Sequence, residues 1–507
     1  MRRPVFLCLG ILAVSCLEFE IFPGHSYLQS GTQIYLPVLE RLDTPGYLSR
    51  DLIATSTSVS YTIYDEVTLF AHDAVRLDFK KALLVQQFLF RAAAVAGIFL
   101  LARATGLSGL LSLLVAALVN LGAMLPGPAA CITGPEPVPS EFAFGAVVLA
   151  MGLLARGKPL FSGFMAGVAF LYDPVIAAPF WAVVLLAFLS SREWRARLKP
   201  MLPIFAVFVL LLANLVQLQP GVSSGQSLFA SVSPSLAELQ RMRTPYVWAS
   251  TWAGHEIWNY LAIFVFGIWA AARVWPLLNR QMRWLVMGMS ATGLASVLCS
   301  YLLLDELRFA VMARIQPSRM LVFTVALSSL LCALAGMSAL FRRRRWEALG
   351  WFAFVLALPV NARIFDLPRA GPVRVANLPS VQEQSIAELA SWAESSTWGS
   401  SLFLFPDAGR QMYPGIFRAE SRRALWADWK SGVVVDYPEP AGLEWWARWQ
   451  ETMDRPYSPA RLRAMLTLPI DYYVLRRQNK LVGVKTVFAN REFLVYDAED
   501  LRAARLP

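Results

Sequence analysis

The stretch PSRMLVFTVALSSLLCALAGMSALFRRRRWEALGWFAFVLALPV, residues 317–360, decides the fold class of this chain. Two apolar runs, 319–340 and 346–361, lie on either side of four consecutive arginines, Arg342 to Arg345. An apolar run of about 20 residues is long enough to cross the hydrocarbon core of a bilayer. The arginines between them indicate a tight turn at the cytoplasmic surface, because cytoplasmic loops carry an excess of Lys and Arg.

The composition of the whole chain agrees with a membrane protein. Of 507 residues, 56% are hydrophobic and only 16% are charged, whereas soluble domains average about 25% charged residues.

Four of the five cysteines lie in apolar runs and Cys131 lies in a predicted loop, so we expect no disulfide framework. Three scattered histidines and the absence of zinc-ligand spacing predict no metal centre. No feature of the sequence identifies a cofactor.

Apolar runs predict an α-helical, multi-span membrane protein with about eleven transmembrane helices. The candidate spans are 4–17, 84–102, 107–126, 141–155, 160–172, 174–190, 200–217, 257–275, 284–304, 319–340 and 346–361. With the N-terminus in the cytoplasm, alternation puts the basic connections on one side and the acid-containing loops on the other. This is the distribution expected from the positive-inside rule. It predicts an inner-membrane protein with an extracytoplasmic C-terminus.

The net charge of +11 reflects this topology rather than a nucleic-acid site, because the basic residues are spread over alternate loops.

The sequence divides into four regions. They are a first transmembrane helix at 1–17, which could also be read as a signal peptide, an extracytoplasmic loop at 18–83, a helical bundle at 84–361, and a C-terminal extracytoplasmic α/β domain at 362–507. In that domain SVQE (380–383) predicts a capping box and SPARL predicts a helix beginning at Pro459. Strands are predicted at 401–405, 472–475, 481–488 and 493–497.

The first loop concentrates carboxylates close to a membrane face. It contains Glu18, Glu20, Glu40, Asp43 and Asp51. Apolar residues spaced among charges in 61–80 predict a helix lying in the interface plane.

With this architecture, the chain resembles the GT-C glycosyltransferases, in particular bacterial relatives of protein mannosyltransferases and lipid A aminoarabinose transferases. The stretch IYLPVLERLDTPGYLSRD is similar to their first-loop pattern. FLYDPVIAAPF (170–180) and IQPSRMLVF (315–323) resemble a helix break and a late Arg-bearing helix in that family, and the tail stretch FRAESRRALWADWKSG also resembles some members.

The resemblance implies transfer of a sugar from a polyprenyl-phosphate carrier to a lipid, glycan or protein acceptor. Such a transfer needs a base for the acceptor hydroxyl and cations for the phosphate. We expect Asp51 as the base, with Asp43 and Glu20 behind it, and Arg314 and Arg319 as phosphate ligands. Expected partners are therefore the lipid-linked sugar and membrane lipids, and no nucleic acid.

One departure from the family leaves other functions open. Where the family has an Asp-Glu pair, this chain has Thr32 and Gln33, neither of which can act as a base. A transporter or flippase, and a non-catalytic envelope scaffold, therefore remain alternatives. Almost no charge is expected inside the spans, which argues against a transport path. Each candidate also has a structural interpretation: Asp51 as a helix cap, Asp43 in a turn, Glu20 at a helix end, and Asp173 as the cap of the helix that follows it.

Overall fold

The computed structural model describes residues 2–21, 23–56, 62–121, 125, 132–218, 230–365, 369–370, 374–375, 378–437 and 439–504. In the first part of the chain, the helices are α1 Arg2–Glu20, α2 Thr32–Asp43, α3 Ile63–Val75, α4 Phe79–Ala104, α5 Gly109–Asn120, α6 Pro139–Ala155, α7 Pro159–Tyr172, α8 Pro174–Ser190, α9 Arg192–Leu198, α10 Met201–Leu218, α11 Pro234–Arg243, α12 Gly254–Val274, α13 Arg280–Ser300, α14 Ala310–Ile315, α15 Leu321–Phe341 and α16 Arg345–Phe365. Arg342, Arg343 and Arg344 thus form the predicted turn between α15 and α16, and Arg345 is the first residue of α16.

The C-terminal part is a small α/β unit. Its helices are α17 Ser380–Ser396, α18 Tyr413–Ser421, α19 Glu439–Thr452, α20 Pro459–Met465 and α21 Ala498–Ala503, and its strands are β1 Arg369–Ala370, β2 Arg374–Val375, β3 Leu402–Leu404, β4 Ala424–Leu425, β5 Tyr472–Arg476, β6 Phe488–Ala489 and β7 Phe493–Asp497. The main sheet has the order β4-β3-β5-β7-β6. Strands β4, β3 and β5 are parallel, while β7 is antiparallel to both β5 and β6.

The chain is an integral membrane protein, but eleven spans are not confirmed. Among the described residues, four helices are long and apolar enough to cross a bilayer: Phe79–Ala104, Gly254–Leu277, Arg280–Glu306 and Ala310–Phe341. The bent pair Arg192–Leu198 and Met201–Gln217, at 58°, counts as a fifth if it forms one span. Helices α5, α6, α7 and α8 are apolar but at most 17 residues long, which is at the lower limit for a spanning helix.

Helix α15 lies at the centre of the bundle and packs against α12, α13 and α16. Most of its side chains are buried. On α12, by contrast, large apolar side chains such as Trp258 and Val265 are exposed, as expected for a lipid-facing surface. Helices α4 and α6 approach closely at Gly97, where a Cβ atom would lie 2.4 Å from the backbone of Val148. Small residues permit this kind of contact between membrane helices.

Three local predictions differ from the structure. The predicted interfacial helix 61–80 is instead α3, ending where Arg76 adopts a left-handed conformation, followed by α4, whose first turn is capped by Asp78. The strand predicted at 481–488 is reduced to β6, because Gly483 turns the chain with φ +76°. Helix α17 has Pro379 at its N-cap, so Ser380 is not the capping residue. The cap at Ser458, which precedes Pro459, is confirmed.

A buried charge nevertheless lies inside one of the predicted spans. Arg91 of α4 is 5% exposed and donates to the carbonyl oxygens of Gly24 at 2.8 Å and Glu18 at 3.3 Å. Backbone carbonyl oxygens at the end of α1 and in the loop that follows it thus bind the guanidinium. Arg91 ties the first loop to the bundle.

Candidate active site

A polar cavity of about 210 Å³ lies where the bundle meets the C-terminal domain. Its walls come from parts of the chain that are far apart in sequence: the start of α2, the α7–α8 junction, the segment after α11, the α14–α15 junction, and residues 430–437. The cavity therefore exists only when the first loop, the bundle and the C-terminal domain are packed together.

Three cationic side chains line the cavity: Arg314, Arg319 and Lys430. Arg314 is in the last turn of α14 and Arg319 is in the 3₁₀ turn Pro317–Met320. Gln316 between them has φ +50°, a conformation that is uncommon outside glycine and that reverses the chain. This tight reversal brings both arginines to one wall. The guanidinium of Arg314 lies 5.3 Å from the ring centre of Tyr437.

Lys430 comes from the C-terminal domain, at the start of the 3₁₀ turn Lys430–Asp436. Its Nζ donates to Ser30 Oγ at 2.6 Å. Burial lowers the pKa of Lys430 to about 8, and the negative charge of Glu136 acts in the opposite direction. The ammonium is therefore still largely protonated at neutral pH.

Two carboxylates face these cations. Asp173 caps α8, and its Oδ1 accepts from the backbone N–H of Val175 at 2.9 Å and of Ile176 at 3.2 Å. The cap predicted for this residue is confirmed, and the same side chain lines the cavity and interacts electrostatically with Arg319.

Asp436 is the second carboxylate, and only 4% of it is exposed. Its Oδ1 is 3.4 Å from the donor Thr244 Oγ1, and its buried Oδ2 has no hydrogen-bond partner within the described part of the chain. Burial raises the pKa of Asp436 to about 7, while the nearby guanidinium of Arg243 lowers it. A buried carboxylate with a free oxygen and a pKa near 7 has the properties of a general base.

The structure brings Arg314 and Arg319 together in the cavity but places the three predicted carboxylates elsewhere. Asp51 is 1% exposed; it accepts from the N–H groups of Ile53, Ala54 and Leu425 and lies 3.7 Å from Arg418. Its role as a base stays a prediction, although these partners already occupy both oxygens.

Asp43 ends α2, 3.7 Å from His72 Nε2. Glu20 is the exposed last residue of α1. A further grouping that could hold a metal ion is Asp43, His72 and Asp73, whose ligand atoms lie within 4.8 Å of one another. These residues do not line the cavity.

Sequence reasoning missed Lys430 and Asp436. Both belong to the C-terminal domain, and their distance in sequence from the first loop gives no sign that they meet it. One signal was present: Asp436 directly follows the apolar run Val433 to Val435, and a carboxylate at the end of such a run is buried or close to a buried element.

Comparison with known proteins finds similar chains among solved structures. No family model and no curated protein match the chain. It aligns with ArnT from Cupriavidus metallidurans in the apo state (13% identity, 98% of both chains, TM-score 0.41). It also aligns with the arabinofuranosyltransferase AftD from Mycobacteria (14% identity, 99% of this chain and 36% of that chain, TM-score 0.43).

A third solved structure is the Archaeoglobus fulgidus oligosaccharyltransferase in complex with Zn and sulfate (11% identity, 93% of this chain and 68% of that chain, TM-score 0.42). The chain thus spans just over a third of the length of AftD and about two thirds of the oligosaccharyltransferase. At such TM-scores these similarities assign no role to any residue of the cavity.

Proposed function

We propose that the protein is an inverting membrane glycosyltransferase that moves a sugar from a polyprenyl-phosphate carrier to a lipid, glycan or protein acceptor. The observation that carries the proposal is the cavity itself, which is lined by the cations Arg314, Arg319 and Lys430 together with the carboxylate residue Asp436. Guanidinium and ammonium groups bind phosphate oxygens. A carboxylate within the same small space can take a proton from an acceptor hydroxyl.

An apolar groove next to the cavity supports a lipid-linked donor. It has a volume of about 440 Å³ and is lined by α12, α13 and the start of α15. Two segments contribute to both spaces: Tyr246 and Arg319 line the cavity, while Ala249 and Leu321, a few residues further on, line the groove. A carrier with its phosphate at the arginines would have its isoprenoid chain in this groove.

The proposed reaction uses Asp436 rather than Asp51 as the base. The Asp436 carboxylate takes the proton of the acceptor hydroxyl while that oxygen forms a bond to the anomeric carbon. The bond from this carbon to the phosphate oxygen breaks, and polyprenyl phosphate leaves with its charge held by the three cations. Asp173, placed beside Arg319, is proposed to orient that guanidinium and to contact sugar hydroxyls.

Transport is the second function class, and the buried Arg91 is the observation that favours it. However, Arg91 is bound to loop carbonyl oxygens and does not line the cavity. An ionisable group that is part of a transport path is expected to face that path. The arrangement therefore supports transfer at one membrane face. On this proposal, that face is extracytoplasmic.

The test is the fate of lipid-linked sugars in a strain that lacks the protein. We expect a carrier-linked sugar to accumulate in the deletion strain, to disappear on complementation with the natural chain, and to accumulate again with Asp436→Asn. The matched control is Asp454→Asn, which changes an exposed aspartate of the same domain and should restore turnover. Normal turnover with Asp436→Asn would remove Asp436 as the base. No accumulation in the deletion strain would contradict the transfer itself.

A further inference from the structure

Glu136 is a buried carboxylate that the proposed chemistry does not use. It is 8% exposed and it binds the segment leading into α2. Its Oε1 accepts from the N–H of Ser30 and from Thr32 Oγ1, each at 2.7 Å, and its Oε2 accepts from the N–H of Gly31 at 2.7 Å. Anions are stabilised at a helix N-terminus by its free N–H groups, and here a side chain of the protein provides the anion.

The segment that Glu136 holds is part of the cavity wall. Ser30 and Gly31 line the cavity, and Ser30 Oγ accepts the hydrogen bond from Lys430 Nζ at 2.6 Å. The segment also fits tightly against the loop that carries Glu136, since a Cβ atom on Gly31 would lie 2.6 Å from Val138 Cγ1. A chain of short contacts therefore runs from Glu136 through Ser30 to the ammonium of Lys430.

We propose that Glu136 is a positioning residue: by fixing residues 30–32 it orients the Lys430 ammonium towards the anionic ligand of the cavity. This inference rests on the proposed function for the identity of that ligand, a phosphate group. The contacts that define it do not depend on that identity. Glu136 contacts Ser30, and Ser30 contacts the Lys430 ammonium. A carboxylate placed in this way can set the orientation and basicity of the ammonium, as the residues around metal ligands and designed sites do for the groups they support.

The charge of Glu136 acts on Lys430 together with several other groups. Lys430 interacts electrostatically with Glu136 and Asp428, which favour its protonated form, and with Arg243 and Arg319, which disfavour it. Asp436 is in the same cavity. Glu136 is the largest favourable charge, so its neutralisation should lower the pKa of Lys430 by about 1 pH unit.

The experiment measures the Lys430 titration directly, with no need for a sugar donor. The full-length protein in detergent is reductively methylated with ¹³C-formaldehyde, and the Lys430 signal is identified by its loss in Lys430→Arg. In Glu136→Gln we expect the Lys430 titration to move about 1 pH unit towards acid. Glu40→Gln, a buried glutamate of the same first loop, should leave it in place. An unchanged titration in folded Glu136→Gln overturns the proposal.

A second variant covers the case in which Glu136→Gln fails to fold. Ser30→Ala removes the hydroxyl that accepts from Lys430 but keeps the backbone contacts to Glu136. This variant should lower the apparent affinity for polyprenyl phosphate and change the Lys430 chemical shift. An unaltered Lys430 signal would refute the proposal that Glu136 orients Lys430 through Ser30. If the natural chain titrates as expected but turns over no lipid-linked sugar, the proposed function fails and the positioning role stands.

Discussion

Asp436 shows how burial and chemistry combine at one residue. Its carboxylate is almost fully buried, one of its oxygens has no hydrogen-bond partner among the described residues, and its pKa is raised to about 7. Leaving such an oxygen unpaired destabilises the folded state. An unpaired oxygen can accept a proton, so the feature that lowers stability is also one that the proposed role as a base requires.

Because burial disfavours the ionised form of Asp436, the stability of the folded protein should depend on pH, and this dependence can be measured without substrate. The pKa of Asp436 is about 7 in the folded protein and about 3.9 in an unfolded chain, so the folded state prefers the protonated form. Stability from this group is present below pH 4 and is lost as the pH rises towards 7 and above. Relative to Asp436→Asn, the natural protein should lose up to about 4 kcal/mol between pH 4 and pH 8.

Thermal unfolding of both proteins across this pH range is the check. The difference in melting temperature, Asp436→Asn minus the natural chain, should increase as the pH rises. The exposed replacement Asp454→Asn should follow the natural chain at every pH. Parallel curves for Asp436→Asn and the natural protein would mean that Asp436 does not have a raised pKa.

The residues of the site were only partly predictable from sequence. Arg314 and Arg319 could be predicted because a positive charge at the start of a late apolar run lies near a membrane face whatever the detailed packing. Lys430 and Asp436 could not, because their position depends on how the C-terminal domain docks. The role of Asp51 as a base stays a prediction, and its surroundings could not be predicted because they depend on Leu425 and Arg418, which are remote in sequence.

At the scale of elements, α2 and α18 connect the first loop to the C-terminal domain. Arg418 of α18 is fully buried. It donates to Asp428 Oδ1 and Ser431 Oγ at 2.8 Å each and to the carbonyl oxygen of Gln33 at 3.1 Å. This buried cluster lies close to Lys430 in sequence and is well placed to hold the 430–437 wall of the cavity in position.

Breaking the cluster should loosen the docking of the domain. Arg418→Ala leaves the carboxylates of Asp428 and Asp51 buried without their cation, and removal of one partner of a buried pair costs about 3–5 kcal/mol. We expect a lower melting temperature and faster proteolysis between bundle and domain. Arg50→Ala, which breaks the exposed pair with Asp471 at 2.7 Å, should cost at most about 1 kcal/mol. Equal effects of the two changes would contradict the proposed role of the cluster.

Most helices and strands were predictable from the sequence, because the spacing of apolar residues and the positions of prolines are local signals. Helices α6, α7 and α8 begin at Pro139, Pro159 and Pro174, because proline is favoured in the first turn of a helix. The number of spans was not predictable. Helices α6 and α8 have 17 residues and α7 has 14, so they are at or below the lower limit for a spanning helix, and whether they cross depends on tilt and on neighbouring helices.

At the scale of the whole molecule, three regions of the chain build one cavity at the end of an apolar bundle. The bundle provides the arginines and the groove, the first loop provides Ser30, and the C-terminal domain provides Lys430 and Asp436. The proposed function therefore requires one mode of binding: a phosphorylated isoprenoid binds with its phosphate in the cavity and its chain in the groove.

The most direct test is a cryo-electron microscopy structure of the full-length protein in lipid nanodiscs with added polyprenyl phosphate. We expect density for a phosphate in contact with Arg314, Arg319 and Lys430, continuous with an extended chain along α12 and α13. Arg319→Gln should lose this density, whereas Arg344→Gln, at the turn between α15 and α16, should keep it. An empty cavity at saturating lipid, or a headgroup bound at another face of the bundle, would contradict the account.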